Sequence, residues 1–264
     1  MTVEVFNIIE KNGIIIKGEK MIVKNVDINY LDYGKEDSEA IVLLHGWGQN
    51  IQMMQGIGNH FKETNRIIIL DLPGFGNSPE PKTVWTIDDY ADALKEMLDN
   101  LGVSNPVIIG HSFGGKIGLL YATKYDVCKL VCLASPYKKY VANPSLKTKI
   151  LKTAKKIPGL NKLEGFAKKH IGSTDYKNAS DMMRKIMVEH VNYDISDKLN
   201  KIKCPTLLIW GTLDKAVSIN DAYELEKLID NCGLVTYDGC SHYAYLERFD
   251  QTIRVLKSFI GDGK

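Results

Sequence analysis

Serine, aspartate and histidine are the side chains from which an activated hydroxyl is built, and this chain offers them in the order Ser112, Asp214, His242. A serine hydroxyl attacks a carbonyl poorly near neutral pH. It needs a base within hydrogen-bond reach and a group that orients the base. Imidazole titrates near the working pH, and a buried carboxylate fixes its tautomer and stabilises the imidazolium. Ser112 lies in Gly110-His111-Ser112-Phe113-Gly114-Gly115, behind the apolar run Val107-Ile108-Ile109 and ahead of a helical segment, Lys116 to Tyr125. A strand entering a helix through Gly-x-Ser-x-Gly makes a sharp turn that lifts the serine clear of the sheet. The neighbours two residues away must lack side chains, and the hydroxyl ends at the positive end of the helix, where an oxyanion is stabilised.

The base is one of six histidines. His45 and His111 sit on glycine turns and read as local packing or hydrogen-bonding residues. His60, His170 and His190 lie in helical or loop segments; His190 could line a pocket, but a surface role is the plainer reading. His242 alone follows a late strand. For the acid, Asp214 follows a buried strand in a short loop before a helix, ahead of Asp238 and Asp71. Asp71, in Asp71-Leu72-Pro73-Gly74-Phe75-Gly76-Asn77-Ser78-Pro79, reads as a carboxylate holding loop amides. A second glycine turn, His45-Gly46-Trp47-Gly48, follows a buried strand, so the amides of Trp47 and Phe113 are the expected oxyanion hole.

The elements that must position these groups alternate. Ala40–Leu44, Arg66–Leu70, Val107–Ile109, Lys129–Ala134, Cys204–Trp210 and Leu234–Tyr237 are short apolar strands, buried on both faces. Helices come between them: Gln52–Phe61, weakened by Gly56 and Gly58, then one opened by Thr86 and Asp89 that runs to Leu101 and stops at Gly102. Ser218 caps a helix to Ile229, and a final helix runs to Phe259. This rhythm demands a parallel sheet with helices on both faces, and the carboxyl ends of its strands are where catalytic groups gather. Ahead of it, Met21–Val23 and Val26–Tyr33 suggest two antiparallel strands, and Asn12-Gly13 between apolar pairs looks like a hairpin turn. Residues 136–200 break the rhythm with helical pieces at about 146–157, 160–169 and 178–191. Lysine outnumbers acidic residues between 138 and 170, read as a solvated face.

With 264 residues the chain can bury one large core. A net charge of +2 gives no reason to expect nucleic acid, and no apolar run approaches a membrane span. The N-terminus shows no signal-peptide pattern. Five cysteines without a Cys-x-x-Cys read as buried reduced thiols, so a cytoplasmic location is expected.

Together His45–Gly48, Asp71–Ser78, Gly110–Gly115, Trp210-Gly211-Thr212-Leu213-Asp214 and Ser241-His242-Tyr243 resemble the α/β-hydrolase superfamily, in its cap-bearing esterase and C–C-bond hydrolase branch. The resemblance implies eight strands, mostly parallel, the second antiparallel. It makes 1–135 and 201–264 the core and 136–200 a helical cap, and carries nucleophile, acid and base onto Ser112, Asp214 and His242. Serine at the turn argues against members that use aspartate there. Ser241 replaces the usual glycine, and Tyr243-Ala244-Tyr245 lacks a tryptophan often seen in C–C hydrolases. The expectation is a carboxylesterase for small to medium acyl esters, with no metal, cofactor or membrane partner, as a monomer or homodimer. C–C hydrolysis, acyl transfer, perhydrolysis and non-catalytic ligand binding are the alternatives. Trp47, Phe113, Tyr137, Met183, Met187 and Val217 are expected to contact substrate, with Phe166, Tyr176 and Met182 as further lining.

Overall fold

The structure is a computed structural model that describes residues 6–9, 15–139 and 179–261. Its strands are β1 (Phe6–Ile9), β2 (Ile15–Val23), β3 (Val26–Gly34), β4 (Ala40–Leu44), β5 (Arg66–Leu70), β6 (Val107–His111), β7 (Lys129–Leu133), β8 (Thr206–Gly211) and β9 (Cys232–Tyr237). They form one sheet in the order β1-β2-β3-β5-β4-β6-β7-β8-β9. From β5 to β9 every pairing is parallel; β1, β2 and β3 pair antiparallel with their neighbours, as does β3 with β5. The sheet therefore has the eight strands the resemblance implies, β2 to β9, and adds β1 at the edge. β1 and β2 are the arms of the hairpin read from the sequence, registered Phe6 to Gly18 and Ile9 to Ile15; the turn itself lies outside the described residues. Between β2 and β3, Lys24 and Asn25 both take positive φ (45° and 62°), the two-residue turn that matches the twist of antiparallel strands.

Seven helices are described: α1 (Gln52–Phe61), α2 (Ile87–Asn100), α3 (Phe113–Ala122), α4 (Asp181–Asn192), α5 (Ile219–Leu228), α6 (Ala244–Glu247) and α7 (Phe249–Ile260), with a 3₁₀ turn at Ser196–Lys201. The central strands are apolar throughout because both faces are covered. Val42, Leu44, Ile68, Leu70, Ile108, Leu130, Leu208 and Trp210 face the layer built from α2, α3 and α5. Their alternates Ile41, Leu43, Ile67, Ile69, Ile109, Val131 and Ile209 face α1, α6 and α7.

Local chemistry explains the helix ends. Thr86 accepts the amide of Asp89 while Asp89 accepts that of Thr86, a reciprocal cap. Ser180 accepts the amide of Met183 and starts α4. The glycines of α1 belong to packing: a Cβ on Gly58 would lie 2.6 Å from the Tyr33 hydroxyl and 2.8 Å from Ile67 Cγ2. The final helix of the sequence reading is two, broken at Arg248 (φ −121°, ψ 47°). The five thiols are free; Cys132 and Cys240 are buried, whereas Cys128, Cys204 and Cys232 are partly exposed. Helical segments expected near 146–157 and 160–169, with Phe166, His170 and Tyr176, lie outside the described residues. Among the described residues no helix is long and apolar enough to cross a membrane.

Candidate active site

Ser112 stands between the last residue of β6 and the first of α3, at φ 50° and ψ −109°. L-residues avoid this conformation at a cost of about 1–3 kcal/mol, so neighbours must impose it. The Ser112 amide donates to the Leu133 carbonyl on β7 at 2.9 Å, and its own carbonyl accepts from Lys116 at 3.0 Å, opening α3. The backbone is thus fixed on both sides. A Cβ on Gly110 would lie 2.6 Å from the Gly114 carbonyl, and one on Gly114 would lie 2.5 Å from the Leu44 carbonyl oxygen. Side chains at either position would push the turn off the sheet.

His242 follows β9 and Asp214 follows β8, on adjacent parallel strands whose ends are in register at Gly211 and Tyr237. His242 Nδ1 lies 2.8 Å from Asp214 Oδ2. Asp214 Oδ1 accepts the amides of Ala216 (2.8 Å) and Val217 (3.0 Å), so the loop before α5 locks the carboxylate. The aspartate side chain is 0% exposed and the imidazole 16%. A proton on Nδ1 shared with the carboxylate leaves Nε2 as the basic nitrogen. Ser112 and His242 line one cavity of about 600 Å³, together with Gly46, Trp47, Gln49 and Leu213. Among the described residues no hydrogen bond joins the Ser112 hydroxyl to the ring; such contacts commonly tighten only around a substrate.

The amides of Trp47 and Phe113 have no acceptor among the described residues. Phe113 begins α3, and the Gly114 amide donates to the His45 carbonyl at 3.1 Å, which draws the 45–48 turn against the serine turn. Their rings pack edge to face, centroids 5.2 Å apart. His45 is fully buried; its Nε2 accepts the Leu72 amide (2.9 Å) and its Nδ1 donates to the Gly46 carbonyl (2.7 Å). Burial pushes its pKa down to about 4, which keeps it neutral. Asp71 accepts from Asn29 Nδ2, Ile51 N and Asn77 N, each at 2.8 Å, the loop-holding role read from the sequence.

One reading needs correction. His190, taken for a surface residue, is buried on α4. Its ring stacks over Trp47 at 6.0 Å and meets Phe113 edge-on at 4.7 Å, and its Nδ1 has no partner among the described residues. Burial, then the charge of Lys116, holds its pKa well below the ordinary value for histidine. Lys116, one turn along α3 from Ser112, is only 1% exposed. Its ammonium donates to the carbonyls of His190 (2.9 Å) and Tyr193 (2.5 Å), the negative end of α4. Burial pushes its pKa down to about 8. A charge inside an otherwise apolar helix was the available signal for Lys116; His190 had none, because its burial is tertiary.

Of the residues expected to touch substrate, Trp47 lines the cavity. Phe113 and Val217 are buried, Met183 packs against Gly74, and Met187 is half-buried on α4. Tyr137 is buried, with its hydroxyl donating to Glu224 at 2.5 Å. Gln49, Leu213, Lys215 and Tyr243 line the cavity without having been singled out from the sequence.

A model of the alpha/beta hydrolase fold matches residues 39–160. The chain is 27% identical to the 2-hydroxy-6-oxononadienedioate/2-hydroxy-6-oxononatrienedioate hydrolase of Paraburkholderia phymatum, over 89% of this chain and 91% of that one. It is 25% identical to Lipase 3 of a Moraxella species, over 94% and 84%. An esterase from Exiguobacterium antarcticum superposes with a TM-score of 0.72 at 22% identity, covering 91% of this chain and 98% of that one.

Proposed function

We propose that this chain, which matches a model of the alpha/beta hydrolase fold over residues 39–160 and resembles hydrolases over most of its length, is a serine hydrolase of that superfamily acting on carboxylic esters of small to medium acyl chain through an acyl-enzyme. The observation that carries the reading is the strained Ser112 on one cavity with a His242 whose other nitrogen is bound to a buried Asp214. Ser112 Oγ attacks the ester carbonyl as His242 Nε2 takes its proton. The amides of Trp47 and Phe113 receive the oxyanion. Collapse expels the alcohol, which takes the proton from His242. Water, deprotonated by the same nitrogen, then releases the acid and restores the serine. Asp214 holds the ring with Nδ1 protonated and balances the imidazolium. No step calls for a metal or cofactor. Residues 136–200 would be the cap, of which 136–139 and 179–200, with α4, are described, and the free thiols fit a cytoplasmic enzyme.

A fluorophosphonate probe should label Ser112, and Ser112→Ala should lose labelling and cut kcat on p-nitrophenyl butyrate by about 10⁴ or more. Parental turnover in that variant sinks the proposal. C–C hydrolysis is the second reading, favoured by the name of the Paraburkholderia relative. The same triad serves both. Product analysis on a p-nitrophenyl ester series and on a 2-hydroxy-6-oxo-dienoate separates them.

A further inference from the structure

His111 immediately precedes the nucleophile at the end of β6 and is only 1% exposed. Its two ring nitrogens each face an oxygen. Nδ1 is 3.2 Å from Gln49 Oε1, and Nε2 is 3.2 Å from the main-chain oxygen of His242. Neither oxygen can donate. The Gln49 oxygen is identified as such because it already accepts the Gly46 amide at 2.9 Å. A neutral imidazole has one N–H to give. Burial is the main cause that pushes the His111 pKa down to about 3, so the ring is neutral at pH 7 and only one contact is a hydrogen bond. The two acceptors differ in need. Gln49 Oε1 has a donor without His111, whereas the His242 carbonyl has no other donor among the described residues.

We propose that His111 is a positioning residue for the base, its Nε2–H donating to the main-chain oxygen of His242 and fixing that loop against the serine turn. The placement rests on His242 being the base, as proposed above. His242 is then held from two sides: Asp214 grips the ring through Nδ1, and His111 grips the main chain. The groups packed around the His111 ring are His242 (4.8 Å between centroids), Tyr245 (4.9 Å) and Tyr243 (5.3 Å), with His45 the further titratable neighbour. None is a carboxylate; the His242 carbonyl favours the imidazolium, but burial and then the charges of His242 and His45 outweigh it. Because the ring projects from a central strand, the restraint on the base comes from the rigid sheet rather than from the loop that carries it.

Two measurements test this. Long-range ¹H–¹⁵N correlation on the ¹⁵N-labelled full chain at neutral pH, with the His111 signals assigned by their loss in His111→Phe, should show a neutral ring with its proton on Nε2. A proton on Nδ1, or a doubly protonated ring, overturns the proposal. In the second, His111→Phe keeps the ring volume and removes the donor, and His111→Gln returns an N–H. The phenylalanine variant should lower kcat about 10- to 100-fold with KM within about threefold, as expected when a reacting group is misplaced without loss of substrate contacts. The acid limb of its kcat/KM profile should move, and glutamine should restore most of kcat. Parental kcat and pH profile in His111→Phe, or equal loss in both variants, overturn it. Failure of the parent itself to react at Ser112 would count against the hydrolase reading instead, and the tautomer would still decide the His111–His242 bond.

Discussion

Two buried carboxylates follow β5 and β8, with three strands between them in the sheet, and their partners separate their roles. Asp71 takes three donors, from β3, the start of α1 and its own loop. Asp71→Ala would strand those donors in the interior, each costing about 1–3 kcal/mol, so a loss of about 3 kcal/mol or more is expected in urea unfolding. Asp214 takes two amides and the His242 ring. Asp214→Asn keeps the size and much of the bonding but invites the wrong imidazole tautomer. It should remain folded while kcat falls by about 10⁴, read by circular dichroism beside steady-state kinetics. The placement of both residues was legible in sequence because each comes shortly after an apolar strand, and turn chemistry announces such places. His190 and Lys116 were not legible in the same way. Their neighbours come from elements dozens of residues distant, and no local pattern carries that information.

At the scale of elements, α3 and α4 meet through one buried ammonium. The Lys116 pKa falls from an ordinary 10.5 to about 8. Below pH 8 both folded and unfolded chains carry the charge, and its burial costs roughly 3 kcal/mol, from the 1.36 kcal/mol that accompanies each pH unit of difference. Between pH 8 and 10.5 the unfolded chain holds more protons, so stability rises with pH across that window. Lys116→Met should remove this rise, measured as the difference between parent and variant unfolding free energies at pH 7.5 and 10. Identical pH slopes would refute the argument. The same pair of elements shows what periodicity can and cannot reveal. The helix read at 178–191 begins at Asp181, because Ser180 caps it, a local signal that the apolar period alone does not mark. The break at Arg248 was invisible: Tyr245, Phe249, Ile253, Leu256 and Ile260 keep one apolar stripe in phase across α6 and α7. A pattern that continues through a kink reads as one helix.

For the whole molecule, three buried histidines lie around the ends of the parallel strands. His45, His111 and His190 all have lowered pKa values, with burial the largest cause in each. The unfolded chain binds their protons near pH 6.5, and the folded chain resists doing so down to about 4 and about 3 for the first two. Stability therefore falls as pH drops below 6.5, by up to about 4 kcal/mol per pH unit while all three contribute. Urea midpoints between pH 7 and 4.5 should decline before most carboxylates titrate; a flat profile over that range would contradict the assignment. The global architecture was legible because strands buried on both faces lose polar residues altogether, and the spacing between them fits helical crossovers. The extra edge strand escaped the strand count, because its four residues, Phe6–Ile9, are too short a run to show an alternating pattern.

The order of the strands has a consequence for synthesis. β8 and β9 are added last, side by side at one margin of the sheet, and the loops after them bring the proposed acid and base. A ribosome that has emitted the first two hundred residues has already exposed the strained serine turn and both candidate oxyanion amides. On the proposed reading that hydroxyl lacks its base until the margin is laid down, so the growing chain would stay chemically inert toward esters.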